Sequence, residues 1–395
     1  MSKITGQVAN DWFGTTVDIS SDATTLSIGA PVFYQNTRSL GYVEIFSLDN
    51  GIHHVQTIGG EVAGDYHGWA MALSTDSSTL AVGAYSSNVN GTGSGQVKVY
   101  QRVDDGQYQQ IGSNIVGSPG DTLGHSVSVS SDGLVLAVGS PMNNGSAGQV
   151  IVFFWDYDSN DFLPRGEPIQ GDAAGDLLGW HSTSIALSKD GNTLVVGALG
   201  GRNSDGEKSG YVKVYRWNES TSNYQLLGSA IEGKADKDDF GYSLDVSANG
   251  NIVAIGAPGS DDNNIAGYVQ IYEWSHENLI WIQLGENLSG QAAYDNYGRA
   301  VALAADGMTL AVGARDNDGN GDSSGQVKVY TYVEALSSYV QLGQSIYGES
   351  ATDLLGWSVS LSADGETLVV GSPWNDDNGS NSGCVQVFKV ENKLL

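Results

Sequence analysis

Cysteine, proline and positive charge are all scarce in this chain. There is one cysteine, Cys384, in 395 residues, which excludes an intramolecular disulfide framework. Prolines number seven. No apolar run approaches the roughly 18 residues that a membrane-spanning helix needs, so direct membrane insertion is not expected. Against 45 Asp and Glu stand only 17 Lys and Arg, a formal net charge of −28. Such a surface repels phosphate backbones and argues against nucleic acid as a partner. The acidity has two readings, solubility and cation binding, and many of the acids sit in turns, where Asp serves its own backbone. The opening "MSKITGQVAND" lacks the apolar core of a signal peptide. Either the protein stays inside the cell, or its targeting segment belongs to a longer chain.

Glycine is abundant, 54 residues, and it is periodic. Gly14, Gly68, Gly124, Gly179, Gly241, Gly298 and Gly356 mark seven copies of one unit, spaced 54 to 62 residues apart. A second glycine follows 15 residues later in six copies: Gly29, Gly83, Gly139, Gly256, Gly313 and Gly371. In the fourth copy, "GWHSTSIALSKDGNTLVVG", three extra residues widen that gap to 18 and predict a bulge or an extended loop.

Each unit reads as four strands, A to D. Strand A alternates strictly, as in "GWSVSLS", with Trp357, Val359 and Leu361 on one face and small residues on the other. Small residues there suit an innermost strand pressed by a neighbouring sheet. A "SADG"-type turn supplies the Asp-Gly or Asn-Gly of a tight hairpin. Strand B ("TLVVGS") is apolar throughout, as a strand covered on both faces should be. After a polar loop, strand C ("YVKVYR") alternates again, and a weaker strand D fits an outer edge.

With no helical pattern and no linker, the chain is expected to form one all-β domain over residues 1–395. Each four-stranded sheet must hide both faces against its neighbours, which predicts a seven-bladed β-propeller of antiparallel blades. The segment from Ser2 to Gly14 superposes without gaps on that from Ser229 to Gly241, so the N-terminus is expected to supply an outer strand to the last blade.

Two motifs frame each repeat. Phe13-Gly14 with Gly29-Ala30-Pro31, and Phe240-Gly241 with Gly256-Ala257-Pro258, resemble the FG-GAP repeat of integrin α-chain propellers. Leu123-Gly124 with Gly139-Ser140-Pro141, and Leu355-Gly356 with Gly371-Ser372-Pro373, are looser copies. The resemblance implies an extracellular or cell-surface adhesion or recognition domain, in some members a lectin. The calcium loops of such propellers lie between strands A and B. Here a tight hairpin occupies that place, so those sites do not carry over.

Three features are candidates for binding. The first is an Asp three residues before every repeat glycine: Asp11, Asp65, Asp121, Asp176, Asp238, Asp295 and Asp353. Its presence in all seven copies points to a structural role at the D-to-A crossover, with a ring of carboxylates at one mouth as the functional alternative. The second is the B–C loop, above all Asp316, Asp318, Asn320 and Asp322, whose alternating oxygens suit a hard cation such as Ca²⁺. A solvated turn is the plainer reading, and the same class of loop includes "GSDDNNIAG" at residues 259–267. The third is the residue following the repeat glycine: Trp69, Trp180, Tyr242 and Trp357, with His125 and Arg299 in the same place. These side chains suit stacking on a ligand or packing between blades.

The six histidines fall at unrelated repeat positions and no nucleophile motif is present. The chain is therefore expected to be a monomeric, non-enzymatic recognition or adhesion module, presenting its B–C and D–A loops to a protein or glycan. A structural scaffold is the alternative, and a propeller hydrolase or lyase the third reading.

Overall fold

The computed structural model describes residues 2–31, 40–259 and 264–390. They form seven separate antiparallel sheets in which strands A, B, C and D lie side by side, in chain order except in the last blade, whose outer strand comes from the N-terminus. The inner strands are Thr16–Ile19, Ala70–Leu73, Ser126–Val129, Ile185–Leu187, Ser243–Val246, Tyr297–Leu303 and Ser358–Leu361, in blades 1 to 7. Every B strand is buried along its whole length, as its unbroken apolar run predicts. Among the described residues the only helical segments are short turns at Asn143–Ser146 and Glu334–Leu336. No described helix is long and apolar enough to cross a membrane.

The two glycines of each repeat meet across the blade interface. A Cβ on Gly371 would stand 2.1 Å from the carbonyl oxygen of Gly14, and one on Gly29 would stand 2.4 Å from that of Gly68. The first glycine of the unit also needs a left-handed backbone, with φ of +90° at Gly14. One position thus requires glycine for its conformation and the other for the backbone lying against it. Small side chains on strand A complete the contact: Ser358 Oγ donates to Gly14 O at 2.8 Å, and Ser126 and Ser243 repeat the bond to Gly179 O and Gly298 O.

A second ring of bonds runs around the A–B turns. Ser131 N donates to Lys189 O (2.9 Å), Lys189 N to Ala248 O, Ala248 N to Ala305 O, Ala305 N to Ala363 O, and Ala363 N to Ser21 O (3.2 Å). Ser21 N to Thr75 O and Asp76 N to Ser131 O close the circle.

The N-terminal strand Ser2–Thr5 pairs antiparallel with strand C of blade 7, Ser2 opposite Val387 and Thr5 opposite Cys384. Lys3 ties it down through ion pairs with Glu349 (2.7 Å) and Asp377. In blades 3, 4 and 5 strand D breaks into two short pieces, which the sequence pattern did not predict. The insertion of blade 4 forms an extended turn, closed by Ser184 N to His181 O at 2.9 Å, and shortens strand A to three residues. A register shift between Tyr297 and Ala300 in blade 6 was likewise not predicted.

Replacing Gly371 by Ala should therefore destabilise the fold by about 1–3 kcal/mol, the usual cost of forcing atoms into a packed interface. Urea unfolding checks this, and an unchanged midpoint would show that the blade contact tolerates a methyl group.

Candidate functional site

The conserved geometry of the repeat places each candidate residue. The seven Asp residues before the repeat glycines sit at the D-to-A crossovers, and six of them accept the hydrogen bonds that follow. Asp238 Oδ2 accepts Lys234 N, Ala235 N (2.9 Å) and the Tyr268 hydroxyl (2.7 Å). Asp295 and Asp353 accept the matching pairs of backbone N–H groups, and Asp353 also takes the Asn375 amide. Asp176 accepts Ala173 N and Tyr211, Asp121 accepts Ser118 N and Asn143, and Asp11 accepts Tyr42. Asp65 is buried at the same crossover of blade 2.

The oxygens of the Asp316–Asp322 loop do not converge on one point. Asp316 Oδ2 accepts Arg315 Nε at 3.0 Å and the Asn296 amide. Asp318 Oδ1 accepts Ser323 N, while Asn320 turns its amide inward to Gly348 O at 2.7 Å. Asp322 lies exposed at the loop tip. Blade 2 makes the same bonds with Asn88 and Asn90, and blade 7 with Asp376 and Asn378. An amide replaces the carboxylate of Asp318 without altering the loop, so these groups fold the turn. Among the described residues no group of three or more His, Cys, Asp or Glu side chains is placed to hold a metal ion. Within the related loop at 259–267, residues 260–263 lie outside the described residues.

The side chains after the repeat glycines do come together, in a layer around the axis at the D–A end. His125 is enclosed by Trp69, Tyr85 and Trp180, with ring centroids 4.7–5.5 Å away. His181, carried in by the blade 4 insertion, lies 4.1 Å from Tyr242. Arg299 lies over Tyr242 and Trp357 at 4.7 and 4.6 Å, and Arg315 over Trp357 at 4.6 Å. Burial pushes the His125 pKa down to about 3. It holds His181 well below its ordinary value too, helped by Arg299. Both rings are therefore neutral plates near pH 7, and the layer is filled by the protein's own side chains.

Beneath that layer the channel holds a cavity of about 250 Å³. Ser182 and Thr183 of the insertion line it, as do Ser128, Ser360 and apolar residues of all seven inner strands. Its ionisable lining groups, among the described residues, are Asp18, Asp245 and Lys189. Sequence reasoning missed the two carboxylates. Yet the fourth residue after each repeat glycine, counted past the insertion, reads Asp18, Ala72, Ser128, Ala186, Asp245, Ala302 and Ser360. The departure from small residues was there to be read.

Each inner strand is a sheet edge facing the channel, and its N–H groups need partners. The polar members of the series supply them to the next blade. Asp18 Oδ2 accepts Leu73 N (2.8 Å), Ser128 Oγ accepts Leu187 N (3.0 Å), Asp245 Oδ2 accepts Leu303 N (2.6 Å) and Ser360 Oγ accepts Ile19 N (3.3 Å). Removal from bulk water outweighs these bonds. It raises the pKa of Asp18 to about 6 and, with a further push from the Asp18 charge, that of Asp245 to about 7. Blades 1 and 5 lie nearly opposite in the ring, so the two carboxyls line opposite sides of one cavity.

A carboxyl that binds its proton more tightly folded than unfolded stabilises the fold below the unfolded pKa of about 3.9, and that contribution is lost as pH rises through the folded pKa. For Asp18 and Asp245 the loss falls between about pH 4 and 7. Relative to wild type, an Asp18→Ser/Asp245→Ser variant should gain stability as pH is raised from 5 to 8. Urea unfolding at both values measures it, and a pH-independent difference would contradict the assignment.

The FG-GAP repeat family matches residues 288–330 and 348–388, which span the inner three strands of blades 6 and 7. No curated protein matches the chain in sequence. In structure the chain is similar to the periplasmic gluconolactonase of Pseudomonas aeruginosa, PpgL, at 19% identity and a TM-score of 0.54 over 90% of this chain and 94% of that one. It is also similar to a functionally unknown protein from Desulfotomaculum acetoxidans DSM 771, at 13% identity and a TM-score of 0.52 over 85% and 89% of the two chains. At such identities the likeness is one of fold. It nevertheless overturns the expectation of a non-enzymatic recognition or adhesion module. That reading was inferred from architecture, and this architecture is also that of an enzyme. The chain is a seven-bladed β-propeller in which residues 288–330 and 348–388 match the FG-GAP repeat.

Proposed function

We propose that the channel cavity is a hydrolytic site for a small cyclic ester of the sugar-lactone class. One observation carries the reading: two carboxyls whose proton affinities straddle mildly acidic pH face one cavity, at repeat positions where the other five blades have Ala or Ser. Near pH 6.5 such a pair holds about one proton between its two members, the state that general acid–base catalysis requires.

The cavity suits a substrate of that size. At about 250 Å³ it lies below the roughly 300–1,000 Å³ typical of drug-sized ligands. It takes one ring rather than a chain. The hydroxyls of Ser128, Thr183, Ser182 and Ser360 offer partners to a polyol. In the reaction, water gives a proton to the ionised carboxylate as its oxygen bonds to the ester carbonyl carbon. The tetrahedral intermediate then breaks its ring C–O bond, and the departing oxygen takes the proton of the other carboxyl. A hydroxy acid leaves, and exchange with solvent resets the pair. The similarity in fold to a gluconolactonase supports the choice of ester without deciding it.

The test is acid release from a panel of aldonolactones at pH 6.5, measured against the spontaneous rate. Wild type should accelerate ring opening, with a bell-shaped pH profile whose limbs fall near 6 and 7. Asp18→Asn and Asp245→Asn keep an oxygen for the backbone bond, and each should lower kcat by about 10²–10⁴. A wild-type rate equal to the buffer rate on every lactone would sink the proposal.

A further inference from the structure

The inner-strand series alternates around the ring: polar in blades 1, 3, 5 and 7, alanine in blades 2, 4 and 6. Seven is odd, so the alternation cannot close without a seam. At that seam blades 7 and 1 stand side by side and both are polar. The consequence is a contact that occurs once. Ser360 Oγ donates to Asp18 Oδ1 at 3.1 Å while accepting Ile19 N at 3.3 Å.

Asp245 has no such neighbour. The blade before it is blade 4, whose residue at the same position is Ala186. Val246 N bonds back to Asp245 Oδ1 at 2.7 Å, as Ile19 N does to Asp18 Oδ1 at 2.9 Å, but only Ile19 N has a second acceptor in a neighbouring hydroxyl. Each carboxyl accepts a backbone N–H from the following blade, Leu73 for Asp18 and Leu303 for Asp245. The two sites therefore differ chiefly by one hydroxyl group.

We infer that Ser360 is a positioning residue that makes Asp18 the proton acceptor of the pair and, through the missing hydroxyl at Ala186, leaves Asp245 the proton donor. This rests on the hydrolytic reading for its catalytic meaning, but the order of proton loss is a property of the unliganded channel. An O–H aimed at a carboxylate favours its ionised form. Asp18 then ionises first, and its charge across the channel holds the proton on Asp245. The ionisable groups facing the pair are each other and Lys189, whose residue sits at the A–B rim. No other charged side chain of a packed inner strand lines the cavity among the described residues. The higher proton affinity of Asp245 agrees with this order. Water would then be activated from the blade 1 side, with the leaving oxygen protonated from the blade 5 side.

Carbon-13 NMR titration of Asp-labelled full-length protein tests this, the two carboxyl signals being assigned by their loss in Asp18→Asn and Asp245→Asn. In wild type Asp18 should titrate at lower pH than Asp245. Ser360→Ala should raise the Asp18 midpoint by about one unit, the worth of one hydrogen bond to a charged group. Ala186→Ser adds a hydroxyl where blade 7 has one, and should lower the Asp245 midpoint by a similar amount. This second variant keeps the test alive if loss of the Ser360–Ile19 bond unfolds the first. If Asp245 loses its proton first in wild type, or if Ala186→Ser leaves its midpoint in place, the assignment is wrong. Because no substrate enters the titration, a protein that opens no lactone can still pass or fail it.

Discussion

Everything in this molecule depends on how closely neighbouring blades approach. At each interface the second glycine of one unit lies against the carbonyl of the first glycine of the next, with no room for a Cβ. Radial sheets converge toward the axis, so the inner strands are the most crowded part of the ring. Only glycine, with Ser, Thr or Ala beside it, lets the backbones close to hydrogen-bonding distance there. The bonds between successive A–B turns and the pairing of Ser2–Thr5 with blade 7 then turn a stack of sheets into a circle. A blade alone would leave both faces in water, and the circle is what hides them.

Closure has a price at the centre, where seven strand edges present backbone N–H groups to a narrow channel. Four side chains, Asp18, Ser128, Asp245 and Ser360, cover some of those edges. Two of the four are carboxyls, and the same burial that makes them useful as staples weakens their hold on charge. Structure and proton chemistry are therefore linked at one repeat position. The aromatic and arginine layer above, with His181 brought in by the insertion, separates that chemistry from the opposite mouth.

Much of the fold was legible because the forces that shape it are local or repeated. The Asp-Gly turns, the buried runs of strand B and the register of the N-terminal segment all depend on patterns within one unit. The site was less legible. Asp18 and Asp245 sit in strands that alternate normally, and nothing in blade 1 alone announces that Asp18 faces a cavity. In the loop from Asp316 to Asp322 the pattern of acids showed a polar turn but not its bonding: the turn uses Asp318 and Asn320 for its own hydrogen bonds, as blades 2 and 7 do with Asn88, Asn90, Asp376 and Asn378. The aromatic residues after the repeat glycines were recognised as a set, but their partners, Tyr85, Arg315 and His181, come from other positions in the unit.

By itself the sequence determined the number of blades, the four-stranded unit and the pairing of the first strand with the last, because hydrophobic period and glycine spacing are written along the chain. Tertiary structure alone decided which polar residues share a cavity and which neighbour each one meets. Asp18 and Asp245 are more than 200 residues apart, and Ser360 reaches Asp18 only because closure of the ring sets blade 7 beside blade 1, where the odd number of blades leaves both positions polar. Proton affinity depends on burial and on neighbours across that ring, and neither exists until it has closed.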